Sequence, residues 1–542
     1  MGDISITNLK GGRNGIDSPL ELPENQCVDA LNVDWADGPL GRKRPGSIAV
    51  ATTGGTTFGG LMSLFRHVPT GDDTLAEMWG IDDVGLTKRM AGSASFANVT
   101  LDDAWTGGRY QDIAAVTFNK KLFMAGKTAV DRLHVYDPNL ASPRVRRVGF
   151  AVPLVAPTVA NTGAGTYAAV ARYYRVRWLQ YSSPTIIRRS EPSPVSTIFT
   201  PSGGGTAARI TRPTAPGEGE THWEVEVSID GIIFFVMAGV AALTVAAPIA
   251  IATTTYDDSS VLNTWLTLTT SEESGQYQPA TSCKYLATDS NRLLMAGSNE
   301  GGLSSRIYFT PVLGTSDHGD DERIVSTASV KGWVDLNEKD GGAITGLCPY
   351  TINGIVYAYK YQQTWKLLPT GDDDRPYIPR KVSPTIGCIY FKTIVQAEDA
   401  NGNPICAWLS HKGPYKAGIG GLKHIGRDME DVWFGENNYP TRFNLEAATM
   451  VAHGVYHSDL HQIWWYTAVT TVATGVGLDS PNLKLMLDVR QQITEDQYGM
   501  RGGWARHTGL SCEAVCSVMF ANTLGAAMSR DLRPYIGHRE PV

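Results

Sequence analysis

The sequence predicts an all-β chain: a β-propeller of six to eight blades on about seven hairpin units, with an inserted β-sandwich and an irregular N-terminal arm. Three observations predict it. A hairpin recurs, as KLFMAG (121–126) before RLHVYDP (132–138) and again as RLLMAG (292–297) before RIYFTP (306–311). Turn formers are abundant, with Gly 57 and Pro 29, which suits many short strands. No helical pattern separates the hairpins, so their sheets must bury both faces against one another. A ring of blades does this and leaves few free edges. An array of β-sandwiches is the competing architecture.

Looser copies extend the repeat. Residues 61–65 pair with 76–81, 354–360 with 364–368, and 461–467 with 483–489. Asn401-Gly402 joins 394–397 to 404–410 as a hairpin turn. A last pair is expected between 513–520 and 523–528. The repeat stops between Pro138 and Tyr285, where short alternating strands lie between Pro and Gly turns. A Tyr-rich strand (173–179), a Ser-x-Pro-Ser turn at 190–193 and a Trp strand ending in Ser228-Ile229-Asp230-Gly231 resemble a fibronectin type III domain. The expected division is an assembly arm at 1–55, propeller at 56–154, insertion at 155–275 and propeller again at 276–542.

The arm is irregular. Gly11-Gly12 makes a turn, and Pro19 and Pro23 forbid a long element. Pro23 suits the first position of a short helix over 24–31, and Asn32 to Trp35 alternates as a strand. The pattern Gly11-Gly12, Asp17-Ser18-Pro19, Leu22-Pro23 to Gln26, Asp29-Ala30-Leu31-Asn32-Val33 and Gly38 to Gly46, with Arg42, Arg44 and Pro45, resembles the start of tail nozzle and packaged-DNA stabilisation proteins of short-tailed bacteriophages. The resemblance implies a propeller body and a structural virion protein in six copies. Its ring would sit below the portal and its adaptor, enclose the DNA exit channel, and retain the genome until ejection. It also implies contact with tail fibres or a tail needle, transient contact with translocating double-stranded DNA, and a virion-tail location after synthesis in the host cytoplasm. The arm residues are then the assembly-interface candidates.

The net charge is −7 and the pI about 5.9, against a general nucleic-acid binder. Seven sparse cysteines argue against a disulfide framework. The opening MGDISITNLKGG has neither a basic n-region nor an apolar core, so no secretory signal is expected. Residues 232–252 are uncharged and long enough for a span, but Pro248 interrupts them and no basic anchor flanks them. They read as two buried strands joined by an Ala-rich loop, with no stable membrane insertion.

No catalytic, cofactor or metal constellation emerges. Ala125-Gly126-Lys127-Thr128 lacks the opening glycine of a phosphate loop, and Gly163 to Ala168 lacks the βαβ context of a dinucleotide site. His453, His457 and His461 have helical metal spacing but sit in a hairpin, along one side of a strand. Asp399, Asn401 and Asn403 lack the distal Glu of a calcium loop. Asp372 to Asp374 reads as a solvated loop. Ser316, Asp317 and His318 are too close in sequence to form a triad. Ser228 to Gly231 differs from a sialidase Asp box by one residue. The clusters Arg42 to Arg44, Arg144/Arg146/Arg147 and Arg188-Arg189 read as solvated or partner-facing patches. The expectation is a non-enzyme. The alternative is a propeller-type carbohydrate-active enzyme or a non-enzymatic glycan-binding adhesin, from which the arm discriminates.

Overall fold

The computed structural model describes residues 12–13, 26–27, 33–34, 42–43, 63–70, 75–81, 86–89, 97–102, 113–125, 132–138, 144–163, 165, 170–201, 206–261, 267–279, 282–289, 291–299, 301–314, 319–337, 340, 342–434, 441–443, 452–471, 483–491, 494–496, 499–508, 514–518 and 533–537. The chain is all-β, with many antiparallel sheets.

Six of these sheets, among the described residues, have four strands in chain order outside 158–258. The first holds Ser63–His67, Glu77–Ile81, Leu86–Arg89 and Ala97–Asn98. The second holds Ala115–Phe118, Lys121–Met124, His134–Tyr136 and Val145–Arg147. The third holds Tyr285–Asp289, Arg292–Ala296, Arg306–Phe309 and Trp333–Asp335. The fourth holds Ile344–Leu347, Val356–Lys360, Thr364–Pro369 and Tyr377–Ser383. The fifth holds Val395–Glu398, Pro404–Ser410, Gly413–Gly418 and Gly421–His424. The sixth holds His453–His457, Gln462–Thr467, Leu483–Asp488 and Trp504–Thr508.

The apolar runs of the repeated hairpins follow from burial on both faces. Leu122 and Met124 pack with Trp79 and Ile81 of the first sheet, while Phe123 between them packs with Leu293 and Met295 of the third. Leu294 and Ala296 turn the other way, onto Val356 and Leu367. Tyr359 meets Cys406 and Trp408, and Leu409 meets Ile463 and Trp465. Each sheet thus shares a core with the next, and strand alternation divides its side chains between two neighbours.

The predicted hairpin pairs form with the expected partners through the sixth sheet. The last differs. Ala514–Val518 pairs with Arg533–Gly537; 523–528 lies outside the described residues. The helix expected over 24–31 is also corrected, since Gln26–Cys27 is a strand paired in parallel with Gly12–Arg13. The extended backbone finds a ladder partner that outweighs Pro23 as a helix starter. Val33–Asp34 is a strand, as its alternation predicts, paired with Arg42–Lys43.

Between the second and third sheets, two more sheets share one core. Thr158–Thr162, Ala207–Thr211 and Thr255–Asp258 form one. Thr185–Arg189, Tyr173–Ser182, His222–Ser228 and Phe235–Ala238 form the other, with Ile249–Ala250 also paired to His222–Ser228. Tyr174, Val176, Trp178, Trp223, Val225 and Val227 fill the space between them, with Ala208 and Ile210 opposite. The predicted turn at 190–193 is instead part of an extended edge segment. Ser190, Ser193 and Ser196 give their N–H groups to the carbonyls of Trp178, Val176 and Tyr174. Their hydroxyls accept the N–H groups of the same three residues at 2.8, 3.0 and 3.0 Å. The segment advances by three while the strand advances by two, so serine oxygens complete the ladder.

Candidate functional site

The first strands of the six sheets meet one another. Ser63–His67 touches Ala115–Phe118, which touches Tyr285–Asp289, which touches Ile344–Leu347. Contact continues through the turn Phe391–Thr393 and Val395–Glu398 to His453–His457, then to Ala514–Val518, and returns to Ser63–His67. At this convergence lies a cavity of about 210 Å³. Its lining includes Phe65, Tyr285, Phe391 and Ile394, with Ser63, Lys392 and His453 among its polar groups. Lys392 Nζ donates to Ser63 Oγ at 2.8 Å. The His453 ring stacks on Tyr466 with centroids 5.4 Å apart. Apolar side chains dominate because the walls are also the inner ends of the inter-sheet cores.

The second candidate surface is the 150–275 region. Five of its large apolar side chains stand exposed on two loops: Ile229, Ile232, Ile233, Leu243 and Val245. Ile232 is 81% exposed. The first loop is ordered by its own polar groups, since Asp230 Oδ1 accepts the N–H groups of Ile232 and Ile233 at 2.8 and 2.9 Å. Strands do form at Phe235–Ala238 and Ile249–Ala250, as expected for 232–252, and the first is largely buried, but the second is not: Ile249 is half-buried and Ala250 exposed. Among the described residues, no helix is long and apolar enough to cross a membrane.

Buried charge gathers where the region meets the second sheet: Arg132 pairs with Glu218, and Glu322 from the third sheet's Arg306–Phe309 to Trp333–Asp335 connection enters the same cluster. Arg146, 3% exposed, gives both terminal nitrogens to Glu322, which is 1% exposed. Lys121 Nζ reaches Glu322 at 3.0 Å and Asp321 at 2.9 Å. Arg188 donates to the Gly149 carbonyl at 2.8 Å and lies over the Phe150 ring. Burial pushes the Arg188 guanidinium down to about 9, with Arg146 adding repulsion. Burial opposes the Glu322 charge, but Arg146 and Lys121 hold its carboxyl well below the usual range. On the outer face of the neighbouring sheet, Arg177 and Arg175 bind Glu226. They outweigh burial and hold that carboxyl at about 2. Arg146, Arg188 and Arg189, read from sequence as solvated or partner-facing, are therefore buried structural cations, while Arg144 is exposed. The missed signal was complementary: Arg175 and Arg177 on one strand are spaced like Glu224 and Glu226 on its partner.

Of the arm candidates, Gly12 and Arg42 lie in described strands. Gly11, Asp17, Pro19, Leu22, Pro23, Leu31, Asn32, Arg44 and Pro45 fall outside the described residues. His453 and His457 lie on one strand, but His461 sits in the following turn at φ 51°, so the three do not share a strand side. His461 Nδ1 is bonded to the Tyr456 hydroxyl. Among the described residues no group of His, Cys, Asp and Glu has metal-holding geometry. Asp399 accepts the N–H groups of Asn401 and Asn403 and makes a turn. Ser316 to His318 and Gly126 to Thr128 are outside the described residues.

No protein-family model and no curated protein matches this chain. Solved structures similar to it include Hsv2 of Kluyveromyces lactis, at 9% identity and TM-score 0.28 over 83% of this chain and 98% of that one. Another is the extracellular region of Drosophila Semaphorin 1a, at 7% identity and TM-score 0.23 over 66% and 74%. Both lie too far away to bear on function.

Proposed function

We propose that this chain is a structural tail protein of a short-tailed bacteriophage, a nozzle subunit whose copies form a ring below the portal and its adaptor. The arm pattern from Gly11-Gly12 to Arg44-Pro45-Gly46 carries the reading. In it the body is a β-propeller of seven units, supported by the cyclic contacts of the first strands, with a fibronectin type III-like insertion at about 155–275. A cavity of 210 Å³ has room for about seven waters at their liquid volume. A duplex whose major groove alone is about 12 Å wide does not pass through it. The DNA channel in this proposal therefore runs between six copies, with the genome retained until ejection. The insertion, with its exposed apolar loops, faces tail fibres or a needle. No chemistry is assigned to the chain.

Quantitative mass spectrometry of purified virus particles tests this. One copy per two portal subunits is expected for a six-fold ring beneath a twelve-fold portal. Absence from the particle would overturn the reading and turn attention to glycan binding or hydrolysis.

A further inference from the structure

We propose that the N-terminal arm is a strap of its own chain, fastened by Arg13 in a socket between the fifth and sixth sheets and covering the outer edge of the sixth. The inference is independent of any tail role, because it stands on contacts within one chain.

The socket is specific. Arg13 is 2% exposed although it lies at the start of an irregular arm. Its Nη1 donates to the Asp428 carbonyl at 2.9 Å and to Asp431 Oδ1 at 2.8 Å, and its Nη2 donates to Asp431 Oδ2. A two-pronged bond of this kind fixes direction as well as charge. Asp428 and Asp431 lie in the turn Arg427–Met429 and the short helix Glu430–Phe434. Met429, Val432 and Trp433 of that turn and helix belong to the core shared by the fifth and sixth sheets. Asp428 Oδ2 also accepts the Gly502 N–H at 2.7 Å, which ties the socket to the approach of Trp504–Thr508.

A second observation gives the arm a bed. The sixth sheet turns Ile463, Trp465 and Leu485 towards the fifth. Its opposite face presents Trp464, Met486 and Ala505, and Cys27 of the arm packs there. Gly12–Arg13 and Val33–Asp34 lie against Trp504–Thr508, the outermost strand of that sheet. In the sixth sheet, the hairpin of Ala514–Val518 and Arg533–Gly537 lies against the innermost strand, His453–His457, and it continues to Ser63–His67 of the first sheet. Hairpin and arm thus divide the face between them: the hairpin covers its inner edge and the arm its outer edge. Without the arm, Met486 and Ala505 lose cover and the Asp431 carboxylate loses its cation.

Hydrogen exchange on the full chain tests the strap. Asp431→Asn should speed exchange at least tenfold at 12–13 and 502–506, with 404–410 unchanged. Unchanged exchange at 12–13 would overturn the proposal. A double variant, Arg13→Cys with Asp431→Cys, treated with a short thiol cross-linker, separates cis from trans and reads out even if Asp431→Asn folds poorly. A bridge within one chain is expected. Bridges found only between chains would mean that the socket holds a neighbour's arm, and would overturn the strap.

Discussion

Glu322 receives the guanidinium of Arg146 through two bonds of 2.6 and 2.7 Å, across 176 residues of sequence, and the same carboxylate accepts the Gly149 N–H. One side chain therefore joins the second sheet and the entry to the insertion to the connection between Arg306–Phe309 and Trp333–Asp335 of the third sheet. The entry to the insertion is thereby held to the body at Gly149. A flexible linker would need none of these bonds.

Glu322→Gln keeps the shape and removes the charge, leaving Arg146 and Lys121 buried without their main counter-ion. Removing one partner of a buried pair costs about 3–5 kcal/mol. Urea denaturation should show a midpoint lowered accordingly. Adding Arg146→Met should recover part of the loss, because the guanidinium bonded to Glu322 then no longer needs a partner. Full additivity of the two losses would show that the residues do not act as one network.

The repeated hairpins were legible because their period of two is tied directly to burial. Leu122 to Ala125 and Leu293 to Ala296 are unbroken apolar runs, and a run of that kind needs neighbours on both faces, as Phe123 and Leu122 show. The charge junction was hidden for the opposite reason. Arg146 and Glu322 are distant in sequence, and an arginine pair such as Arg188-Arg189 looks the same whether solvated or buried. A third regularity also escaped. Trp79, Trp365 and Trp464 each donate the indole N–H to the residue two before, Glu77, Gln363 and Gln462, at 2.9, 3.0 and 2.9 Å. Each indole is covered by a lysine from the next strand, Lys88, Lys381 and Lys484. The [Glu/Gln]-x-Trp spacing stands in the sequence, but its lysine partners lie 9, 16 and 20 residues further on. Strand register alone brings them together. Of the candidate site, Arg13 and Asp431 were invisible for the same reason.

Acid should destabilise the body through His67. Its ring is buried against Trp79 and Tyr136. Burial first, and then the charge of Lys88, lower its pKa from 6.5 to about 3. The folded state therefore prefers the neutral ring, and the unfolded state binds the extra proton first. The stabilisation is complete above about pH 6.5 and is lost as pH falls through 3, amounting to a few kcal/mol. His67→Gln should flatten the stability profile between those values. An unchanged slope would exclude His67 as its source.

Packing at the junction of the fourth and fifth sheets should tolerate no added carbon at Gly387. A Cβ there would lie 1.9 Å from the Lys360 carbonyl oxygen. That carbonyl accepts the Cys388 N–H at 3.1 Å, and the Gly387 carbonyl accepts the Trp408 indole at 3.0 Å. Gly387→Ala must push the two backbones apart, at about 1–3 kcal/mol or more. A lowered unfolding temperature with a shifted near-ultraviolet tryptophan signal is the expected result. A neutral substitution would mean that the 387 segment and Val356–Lys360 separate freely.

The buried thiols of that junction should be inert until the sheets part. Cys348, Cys388 and Cys406 are fully buried in one cluster with Tyr359 and Trp408, and Cys283 is buried between the second and third sheets. Burial pushes the Cys388 thiol up to about 12, and it raises Cys406 well above the ordinary value. At pH 8 a thiol of pKa 12 is ionised about one part in ten thousand, and the thiolate is the reacting species. Iodoacetamide treatment of the native protein, read by peptide mass spectrometry, should leave these four cysteines unmodified for hours. Denaturant should expose them together, because each lies between two sheets and neither sheet keeps its core alone. Labelling of Cys348, Cys388 and Cys406 in native buffer, ahead of Cys283, would instead reveal a local opening between the fourth and fifth sheets. The Gly387→Ala variant should move the protein in that direction.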